Sequence, residues 1–412
     1  MLTPRTPWKG RRVVLCVGGG VAAYKTAQLA RDLTQLGARV EVVLSRSAQE
    51  FVTPLTYEAL TGRPAHHDPF RVGGAAVHID IAREADVVCV APATADLIAR
   101  HAAGMADDLV ASVLLATRAP VLICPAMNPR MWTHPATVRN VSVLRDEFGH
   151  GIVGPDEGAL GYGERSGVGR MVEPAVILQH VGRALARGGA LDGRRVVVTA
   201  GPTREPVDAV RVLSNRSSGR MGYAIAAESW RRGALVTLIS GPSDVEPPAG
   251  PELIRVETAE EMRTAVREAI RGADALVMSA AVADFRPSSP GSKKIKKSEG
   301  PRPIELEAAP DILTSTIGDR APGMVVVGFA LETDDARANA RRKLDEKKLD
   351  LIVLNQPDAS AGSGFEVDTN RVTLIGRDDS IEELPLLSKD DVAATLLDRV
   401  ARLVAGERDR GR

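Results

Sequence analysis

Two glycine-rich stretches have the residue types that bind phosphate groups. The first is "GGGVAAYK", residues 18–25, and the second is "AGPTREPVDAVRVLSNRSSGRMG", residues 200–222. Each lies between an apolar run and a segment of helical periodicity, so the free N–H groups of a helix start could bind an anion there. Neither matches G-x-G-x-x-G, so they predict phosphate or nucleotide sites without specifying a dinucleotide. We expect Ser217 or Ser218 to cap the second helix.

The second half of the chain also contains two clusters of polar and charged side chains. The second glycine-rich stretch carries Arg204, Asp208, Arg211, Asn215 and Arg216. Four lysines surround an isoleucine in "KKIKK", residues 293–297, inside a loop flanked by Gly, Pro and Ser. This run is either a solvated charged segment or a loop that closes over a polyphosphate. The phosphate-type stretch in the same half favours the second interpretation.

Histidine separates the chemistry of the two halves. All seven histidines, at positions 66, 67, 78, 101, 134, 150 and 180, precede the glycine-rich segment that ends near residue 193. Imidazole can therefore act as acid, base or ligand in the first half alone. Lysine and arginine must supply the positive charge of the second half.

The elements that position these residues alternate between short apolar strands and longer helical segments. The predicted strands include "RVVLCV", "ADVVCVAP", "RRVVVTAG" and "MVVVGFA". This alternation is typical of parallel sheets covered by helices. A chain of 412 residues exceeds what one core usually organises. We therefore expect an α/β protein with two doubly wound, mainly parallel-sheet domains, residues 1–190 and 191–412.

Composition excludes several classes of protein. Apolar residues make up 44% and charged residues 26%, and 53 basic residues balance 53 acidic ones. This balance argues against a nucleic-acid-binding protein. No apolar run has membrane-spanning length and the N-terminus lacks a signal-peptide core, so we expect a cytoplasmic protein. The three cysteines, Cys16, Cys89 and Cys124, fall in predicted buried strands without metal-type spacing, which predicts core packing.

Longer motifs add a resemblance to two enzyme families. The first half, with "GGGVAAYK", "HIDIAREAD", "APATADLIA", "PAMNPRMW" and "GVGRM", resembles the flavin-dependent phosphopantothenoylcysteine decarboxylases. The second half, with its glycine-rich stretch, "SAAVADFRP", "KKIKK", "APDIL", "GFALET" and "KLDEKKLDLIVLN", resembles the phosphopantothenate–cysteine ligases. Fused in this order, the halves resemble the bacterial bifunctional coenzyme A biosynthesis enzymes. The resemblance implies a flavodoxin-like and a Rossmann-like domain.

The resemblance implies an FMN site and two catalytic residues in the first half. His78 matches the family's catalytic base and Asn128 matches the asparagine that binds the substrate carboxylate; without the motifs, a packed histidine and a Pro-Asn turn would be the simpler interpretations. Family members commonly have Asn where this chain has Asp96. The residues that would contact FMN are Gly19, Val21, Ala22, Ser45, Pro92, Ala93 and Thr94.

A glycine-rich segment, residues 158–171, resembles the flap that closes over the decarboxylase substrate. The family usually places a proton-donating cysteine there, and this chain has none. Tyr162 and Glu164 are the nearest replacements, since flap closure could shift either pKa. The alternative is that they only shape the loop.

For the ligase half, the resemblance implies CTP as co-substrate, with Mg²⁺ whose ligands the sequence does not indicate. Lys294, Lys343 and Lys347 would meet the phosphates, and the Asn215 amide would hold the acyl-cytidylate carbonyl. Lys343 and Lys347 lie four apart on a predicted helix, where a solvated face is the alternative. The residues around the nucleotide would be Met278, Ser279, Ala280, Asp284, Ala309, Pro310, Asp311, Ile312 and Phe329.

Family members form trimers through flavin domains and dimers through ligase domains, which implies a homododecamer. The implied partners are otherwise small molecules: 4'-phosphopantothenate, cysteine and CTP. Two other functions stay open. A pyridine-nucleotide oxidoreductase would also have two α/β domains. An FMN-binding regulatory flavoprotein would explain the absent flap cysteine, although the intact "HIDIA" and "PAMN" motifs argue against it.

Overall fold

The computed structural model describes residues 5–68, 77–159, 166–296, 303–331, 335–355 and 368–406. The chain divides into two compact units, and the division falls between Leu185 and Ala186. Both units are α/β with mainly parallel sheets, which confirms the predicted fold class. Among the described residues, every helix is too short or too polar to span a bilayer.

The first unit is a five-stranded parallel sheet with helices on both faces. Its strands follow the order β2-β1-β3-β4-β5, and β6 and β7 form a separate antiparallel hairpin. This is the flavodoxin-like order, whose switch point lies between β1 and β3. Its elements are β1 (Arg12–Val17), α1 (Ala23–Gln35), β2 (Arg39–Leu44), α2 (Pro54–Thr61), α3 (Val77–Arg83), β3 (Val87–Ala93), α4 (Ala95–Ala102), α5 (Leu109–Ala116), β4 (Val121–Pro125), α6 (Pro129–Trp132), α7 (Pro135–Ser142), β5 (Gly151–Ile152), β6 (Asp156–Gly158), β7 (Gly167–Arg170) and α8 (Pro174–Leu185).

Strand β1 explains how the sequence produces a two-faced sheet. Val13, Leu15 and Val17 belong to the core on one face, whereas Val14 and Cys16 belong to the core on the other. Successive side chains of a strand point to opposite faces, so a continuous apolar run is what a sheet covered on both sides requires. Cys16, Cys89 and Cys124 are all buried in strands, which confirms the predicted core role.

The second unit is built on an eight-stranded sheet of order β12-β11-β8-β13-β16-β17-β19-β20. The first six strands are parallel and have the doubly wound Rossmann order, with its switch point between β8 and β13. Its elements are β8 (Arg195–Ala200), β9 (Arg204–Pro206), β10 (Val212–Ser214), α9 (Arg220–Arg231), β11 (Leu235–Ser240), β12 (Glu252–Arg255), α10 (Ala259–Ala269), β13 (Ala275–Met278), β14 (Phe285–Pro287), β15 (Leu306–Ala308), α11 (Ile312–Ser315), β16 (Val325–Leu331), α12 (Ala336–Glu346), β17 (Leu351–Asn355), β18 (Thr369–Asn370), β19 (Val372–Gly376), β20 (Ile381–Glu383), β21 (Leu387–Ser388) and α13 (Lys389–Val404).

Two small hairpins stand at the carboxyl edge of this second sheet. Strands β9 and β10 pair antiparallel directly after β8, and β14 and β15 pair antiparallel after β13. The connection from β14 to β15 contains the lysine run. Both hairpins therefore leave the sheet at its switch point, where ligands bind in folds of this kind.

Candidate functional site

In the first unit, the predicted flavin residues follow the strands on either side of the switch point. Gly18 to Gly20 follow β1, Ser45 follows β2, and Thr94 follows β3. The carboxyl ends of parallel strands share one edge of the sheet, so these loops are neighbours. The Gly18 N–H donates to the Pro92 carbonyl (3.1 Å), which joins the first loop to the third.

Gly18 and Gly19 at this edge have no room for side chains. A Cβ on Gly18 would clash with the Pro92 carbonyl oxygen, and one on Gly19 would lie 2.7 Å from the Ser47 carbonyl carbon. No described side chain caps α1 at Ala22, although the Ala23 and Lys25 N–H groups donate to the Gly20 (2.9 Å) and Ala22 (3.1 Å) carbonyls. A tight glycine turn at an uncapped helix start between β1 and β3 fits the phosphate of FMN.

The other predicted flavin residues shape the same edge. The buried Ser45 hydroxyl accepts a hydrogen bond from the Ala48 N–H (3.2 Å), and the Thr94 hydroxyl caps α4 by accepting from the Leu97 N–H (3.2 Å). Pro92 and Ala93 are buried, Ala22 is half-buried and Val21 is exposed.

Position 96 departs from the family pattern and has a local role in this structure. The Asp96 side chain pairs with Arg100 on the next turn of α4 (3.0 Å). This carboxylate is exposed and already has a cationic partner within the helix. The ion pair with Arg100 therefore gives Asp96 a role within α4 that needs no contact with a flavin.

Asn128 lies beside β7, which is part of the flap-like segment, residues 158–171. Its Oδ1 accepts from the Arg130 N–H (2.9 Å), so its side-chain N–H donors are the groups left for a carboxylate. The Met127 N–H donates to the Gly169 carbonyl (2.9 Å), and a Cβ on Gly167 would lie 2.8 Å from Pro129. The loop that carries Asn128 therefore packs against β7. Tyr162 and Glu164 lie outside the described residues.

An ion pair that the sequence did not reveal joins the flap to the flavin edge. The Lys25 ammonium on α1 donates to the Met171 carbonyl (3.3 Å) and to the Glu173 carboxylate (2.8 Å), just beyond β7. The Arg170 guanidinium also forms an ion pair with the Glu173 carboxylate. These bonds lower the pKa of Glu173, chiefly through Lys25. Lys25 is the last residue of the "GGGVAAYK" motif, but Glu173 is 148 residues away in the sequence.

His78 lies in the first turn of α3 and is half-buried. The same helix buries Ile81 and Ala82, and the Thr117 hydroxyl donates to the Ala82 carbonyl (3.3 Å). The core contacts of α3 thus belong to its later residues. His78 as a residue thus stays partly exposed, which suits a base that exchanges protons.

In the second unit, hydrogen bonds join the loops after β8 and β13. The Ala281 N–H donates to the Gly201 carbonyl (2.9 Å), and the Ser279 hydroxyl donates to the Thr199 carbonyl (2.6 Å). The Thr199 hydroxyl accepts from the Ala280 N–H (3.1 Å). Ser279 and Ala280, both predicted nucleotide residues, are therefore fixed at the switch point.

The helix after the second glycine-rich stretch begins differently from our expectation. Gly219 is the N-cap, with φ of +79°, and no side chain caps α9. The prediction of a Ser217 or Ser218 cap is wrong, because the left-handed backbone at Gly219 makes the turn itself. A Cβ on Gly222 would lie 2.5 Å from the Ala200 Cβ and 2.7 Å from the Ser279 hydroxyl, so α9 packs closely on β8.

Asn215 is oriented by the loop after β13. Its side-chain nitrogen donates to the carbonyl oxygens of Ala281 (3.2 Å) and Val282 (3.1 Å). The opposite orientation would place Oδ1 against two other acceptors, so the contacts fix the amide. Both N–H groups are thus used within the protein. In this structure Oδ1, an acceptor, is thus the amide group that faces away from these carbonyls; a role of Asn215 toward the acyl-cytidylate stays a prediction.

A second group of predicted nucleotide residues meets around α11. The Ala309 N–H donates to the Asp284 carbonyl (2.9 Å), and Asp311 caps α11 by accepting from the Thr314 N–H (3.1 Å). The Lys347 ammonium lies 3.0 Å from Asp311 Oδ2. Burial alone would raise the pKa of Asp311, but these two donors outweigh it and lower that pKa. Pro310 is half-buried and Ile312 is buried.

The remaining predicted residues line the adjoining strands and helix. Met278 pairs in register with Gly328, so Phe329 lies one residue beyond it on the neighbouring strand. Lys343 is half-buried near the end of α12, and Lys347 is the C-cap of that helix. Their burial does not fit a fully solvated lysine face.

The described part of the lysine run is exposed but anchored. Lys293, Lys294 and Lys296 are exposed, whereas the Ile295 N–H between them donates to Asp208 Oδ2 (3.1 Å). Lys297 lies outside the described residues. Within the described ranges, no cluster of three His, Cys, Asp or Glu side chains could hold a metal ion.

Comparisons with known proteins agree with this division. Residues 2–185 match the family described as Flavoprotein, and residues 191–404 match the DNA/pantothenate metabolism flavoprotein C-terminal domain. Each of the two units is thus matched by its own family model.

Relatives of the same two-domain length are similar along the whole chain. The Coenzyme A biosynthesis bifunctional protein CoaBC of Bacillus subtilis is 44% identical over 95% of this chain and 97% of its own. That of Mycobacterium tuberculosis is 44% identical over 96% and 97%. The chain belongs to the family of these bifunctional coenzyme A biosynthesis proteins, as the sequence motifs indicated.

Solved structures of single domains are also similar. The C-terminal domain of a bifunctional protein CoaBC is 37% identical and covers 53% of this chain and all of its own, with a TM-score of 0.45. A PPC decarboxylase mutant complexed with pantothenoylaminoethenethiol is 31% identical and covers 42% and 96%, with a TM-score of 0.37.

Proposed function

We propose that this chain converts 4'-phosphopantothenate and cysteine into 4'-phosphopantetheine. The second domain joins the two substrates with CTP, and the first decarboxylates the product with FMN. The observation that carries the proposal is that bifunctional coenzyme A biosynthesis relatives match the whole chain. The two switch points support it, because each gathers residues that the family motifs assign to substrate or cofactor.

The ligase reaction has two half-reactions. The carboxylate of phosphopantothenate attacks the α-phosphate of CTP, and the bond to pyrophosphate breaks, which gives an acyl-cytidylate. The amine of cysteine then attacks the acyl carbon, the bond to CMP breaks, and the amine loses a proton. Lys294 stabilises negative charge that develops in the first half-reaction. Asn215 Oδ1 can accept a hydrogen bond from the attacking amine in the second.

The decarboxylase residues divide the work around the substrate's cysteine moiety. FMN, held by the loops that follow β1, β2 and β3, would supply a reversible two-electron oxidation of the thiol-bearing carbon and so an electron sink for the carbanion. His78 takes the thiol proton. The Asn128 N–H donors bind the departing carboxylate. Tyr162 or Glu164 on the flap returns a proton at the last step.

The proposal also includes a magnesium ion, an oligomeric state and a cellular location. Mg²⁺ would accompany the triphosphate and would be held mainly by phosphate oxygens and water, as is common for this ion. A homododecamer of flavin-domain trimers and ligase-domain dimers, and a cytoplasmic location, stay predictions of the resemblance.

A regulatory flavoprotein is the second candidate for the first domain, because the flap lacks the usual cysteine. The test combines the absorbance spectrum of the purified protein with release of pyrophosphate and of CO₂, because a regulatory first domain would bind flavin without releasing CO₂. We expect a flavin spectrum and release that requires CTP and cysteine for sustained turnover. Absence of flavin, or activity that requires a nicotinamide nucleotide instead, would refute the proposal.

A further inference from the structure

Asp208 lies in the turn between β9 and β10, and its side chain is completely buried. Oδ1 accepts from the N–H groups of Val210 and Arg211, both at 2.8 Å. These two bonds close the turn. Oδ2 accepts from the Arg211 guanidinium (2.9 Å) and from the Ile295 N–H (3.1 Å). The two oxygens therefore have different roles, and only Oδ2 reaches the lysine segment, residues 291–296.

Hydrogen bonds join both ends of the lysine segment to the turn between β9 and β10. The Gly291 N–H donates to the Val207 carbonyl (3.0 Å), and the Arg211 guanidinium donates to the Ile295 carbonyl (3.4 Å). Ile295 is thus bound through its N–H and its carbonyl, directly beside Lys294. Because lysine side chains are long and flexible, a fixed backbone limits the region that the Lys294 ammonium can reach.

The β9–β10 hairpin also leads to the other proposed ligase residue. The Ser214 hydroxyl at the end of β10 donates to the Thr203 carbonyl (2.8 Å), and the next residue, Asn215, binds the carbonyls of Ala281 and Val282. The tip of the hairpin therefore binds the lysine segment, while its exit binds the loop after β13. One short hairpin therefore contacts the backbone beside Lys294 and leads directly into Asn215.

We propose that Asp208 is a positioning residue that fixes Lys294 for the activation of CTP. This inference rests on the proposed ligase function. Asp208 contacts no substrate in this role and acts through the Ile295 backbone. A displacement of about 1 Å in a catalytic group can cost on the order of 100-fold in rate, so the anchor matters although Lys294 is exposed.

Asp208→Asn separates the two roles of the carboxylate. The substituted side chain keeps one oxygen for the turn, while its NH₂ group faces the Ile295 N–H and the Arg211 guanidinium, which are donors. The matched control is Asp274→Asn. Asp274 accepts from the Arg195 N–H (2.8 Å) and the Arg194 guanidinium (2.9 Å), at the amino ends of the same sheet. Ile295→Pro is a second variant that removes the donor and keeps Asp208.

The experiment uses the full chain with its flavin. Phosphopantothenate and CTP are supplied without cysteine, and acyl-cytidylate and pyrophosphate are measured in one turnover. Cysteine is then added to measure the second half-reaction. We expect Asp208→Asn and Ile295→Pro to slow the first half-reaction by about 10-fold or more and the second by less than about 2-fold. Asp208→Asn/Lys294→Gln should be no slower than Lys294→Gln alone.

The outcomes distinguish this inference from the function on which it rests. If the wild-type chain forms no acyl-cytidylate, the proposed ligase function fails, and the positioning role fails with it. If Lys294→Gln is impaired but both anchor variants behave like Asp274→Asn, only the positioning role fails. Multiplicative effects of Asp208→Asn and Lys294→Gln, or equal slowing of both half-reactions, would also overturn it.

Discussion

The ammonium of Lys347 lies 3.0 Å from the carboxylate of Asp311, which joins the C-cap of α12 to the N-cap of α11. Both residues are predicted nucleotide contacts. Lys347→Gln should raise the KM for CTP by roughly 10-fold or more, the usual worth of a hydrogen bond to a charged group. Steady-state kinetics at varied CTP measures this. Lys348→Gln, at the exposed neighbouring lysine, is the matched control; an equal KM in both variants would contradict a phosphate role for Lys347.

His78→Asn should keep FMN bound and abolish most CO₂ release, because asparagine cannot accept the thiol proton at neutral pH. The loss expected for a general base is about 100- to 10,000-fold. The assay supplies phosphopantothenoylcysteine directly, so the ligase domain does not limit the rate. His134→Asn is the control, since exposed His134 caps α7 and asparagine is also a good cap. Wild-type decarboxylation by His78→Asn would show that another group is the base.

The flap variants Tyr162→Phe and Glu164→Gln should leave CO₂ release largely intact. Whichever residue donates the last proton, its removal should let an oxidised enethiol accumulate, two hydrogens lighter than phosphopantetheine. Mass spectrometry distinguishes these products. Fully reduced product from both variants would mean that the proton comes from elsewhere.

The ionised Glu41 carboxylate should make the stability of the first domain depend on pH in the acidic range. Its buried carboxylate is bound by Arg63 (3.0 Å) and His66 (3.2 Å), and Arg12 and Arg39 also face it. Burial alone would raise the pKa of Glu41, but the bonds from His66 and Arg63 lower it to about 2. The folded pKa is thus below the unfolded value of about 4.3, so this stabilisation is complete above that pH and is lost as pH falls toward 2.

Glu41→Gln should therefore lower the stability of the first domain at pH 7 by about 3 kcal/mol, because it removes the buried carboxylate that binds the half-buried Arg63 and faces the half-buried Arg12. The difference from wild type should shrink between pH 5 and about pH 2. Flavin release on heating reports unfolding of this domain. A difference that stays constant over this range would contradict the assigned role of the carboxylate.

The sequence predicted the central strands because buried parallel strands are continuous apolar runs, as in Val13 to Val17. It did not predict β12, Glu252–Arg255, whose side chains are half-buried or exposed at the sheet edge. It also did not reveal that β19 runs antiparallel to β17, because a short apolar run such as "VTLIG" has the same pattern in either direction.

The site was predictable where its chemistry is local. Glycine turns and the "PAMN" loop are continuous in sequence, and the structure places them at the expected sheet edge. The contacts that orient them were not predictable, because Lys25 meets Glu173 and Asp208 meets Ile295 through segments brought together by folding. The Asn215 orientation depends likewise on two distant carbonyl groups.

The coupling of the two activities is tested most directly by the ratio of CO₂ to pyrophosphate in one reaction. Purified protein is incubated with 4'-phosphopantothenate, CTP and cysteine labelled in its carboxyl carbon. We expect equal amounts of labelled CO₂, 4'-phosphopantetheine and pyrophosphate, and none of them in sustained turnover without CTP. Pyrophosphate with accumulating phosphopantothenoylcysteine and no labelled CO₂ would contradict the decarboxylase role of the first domain.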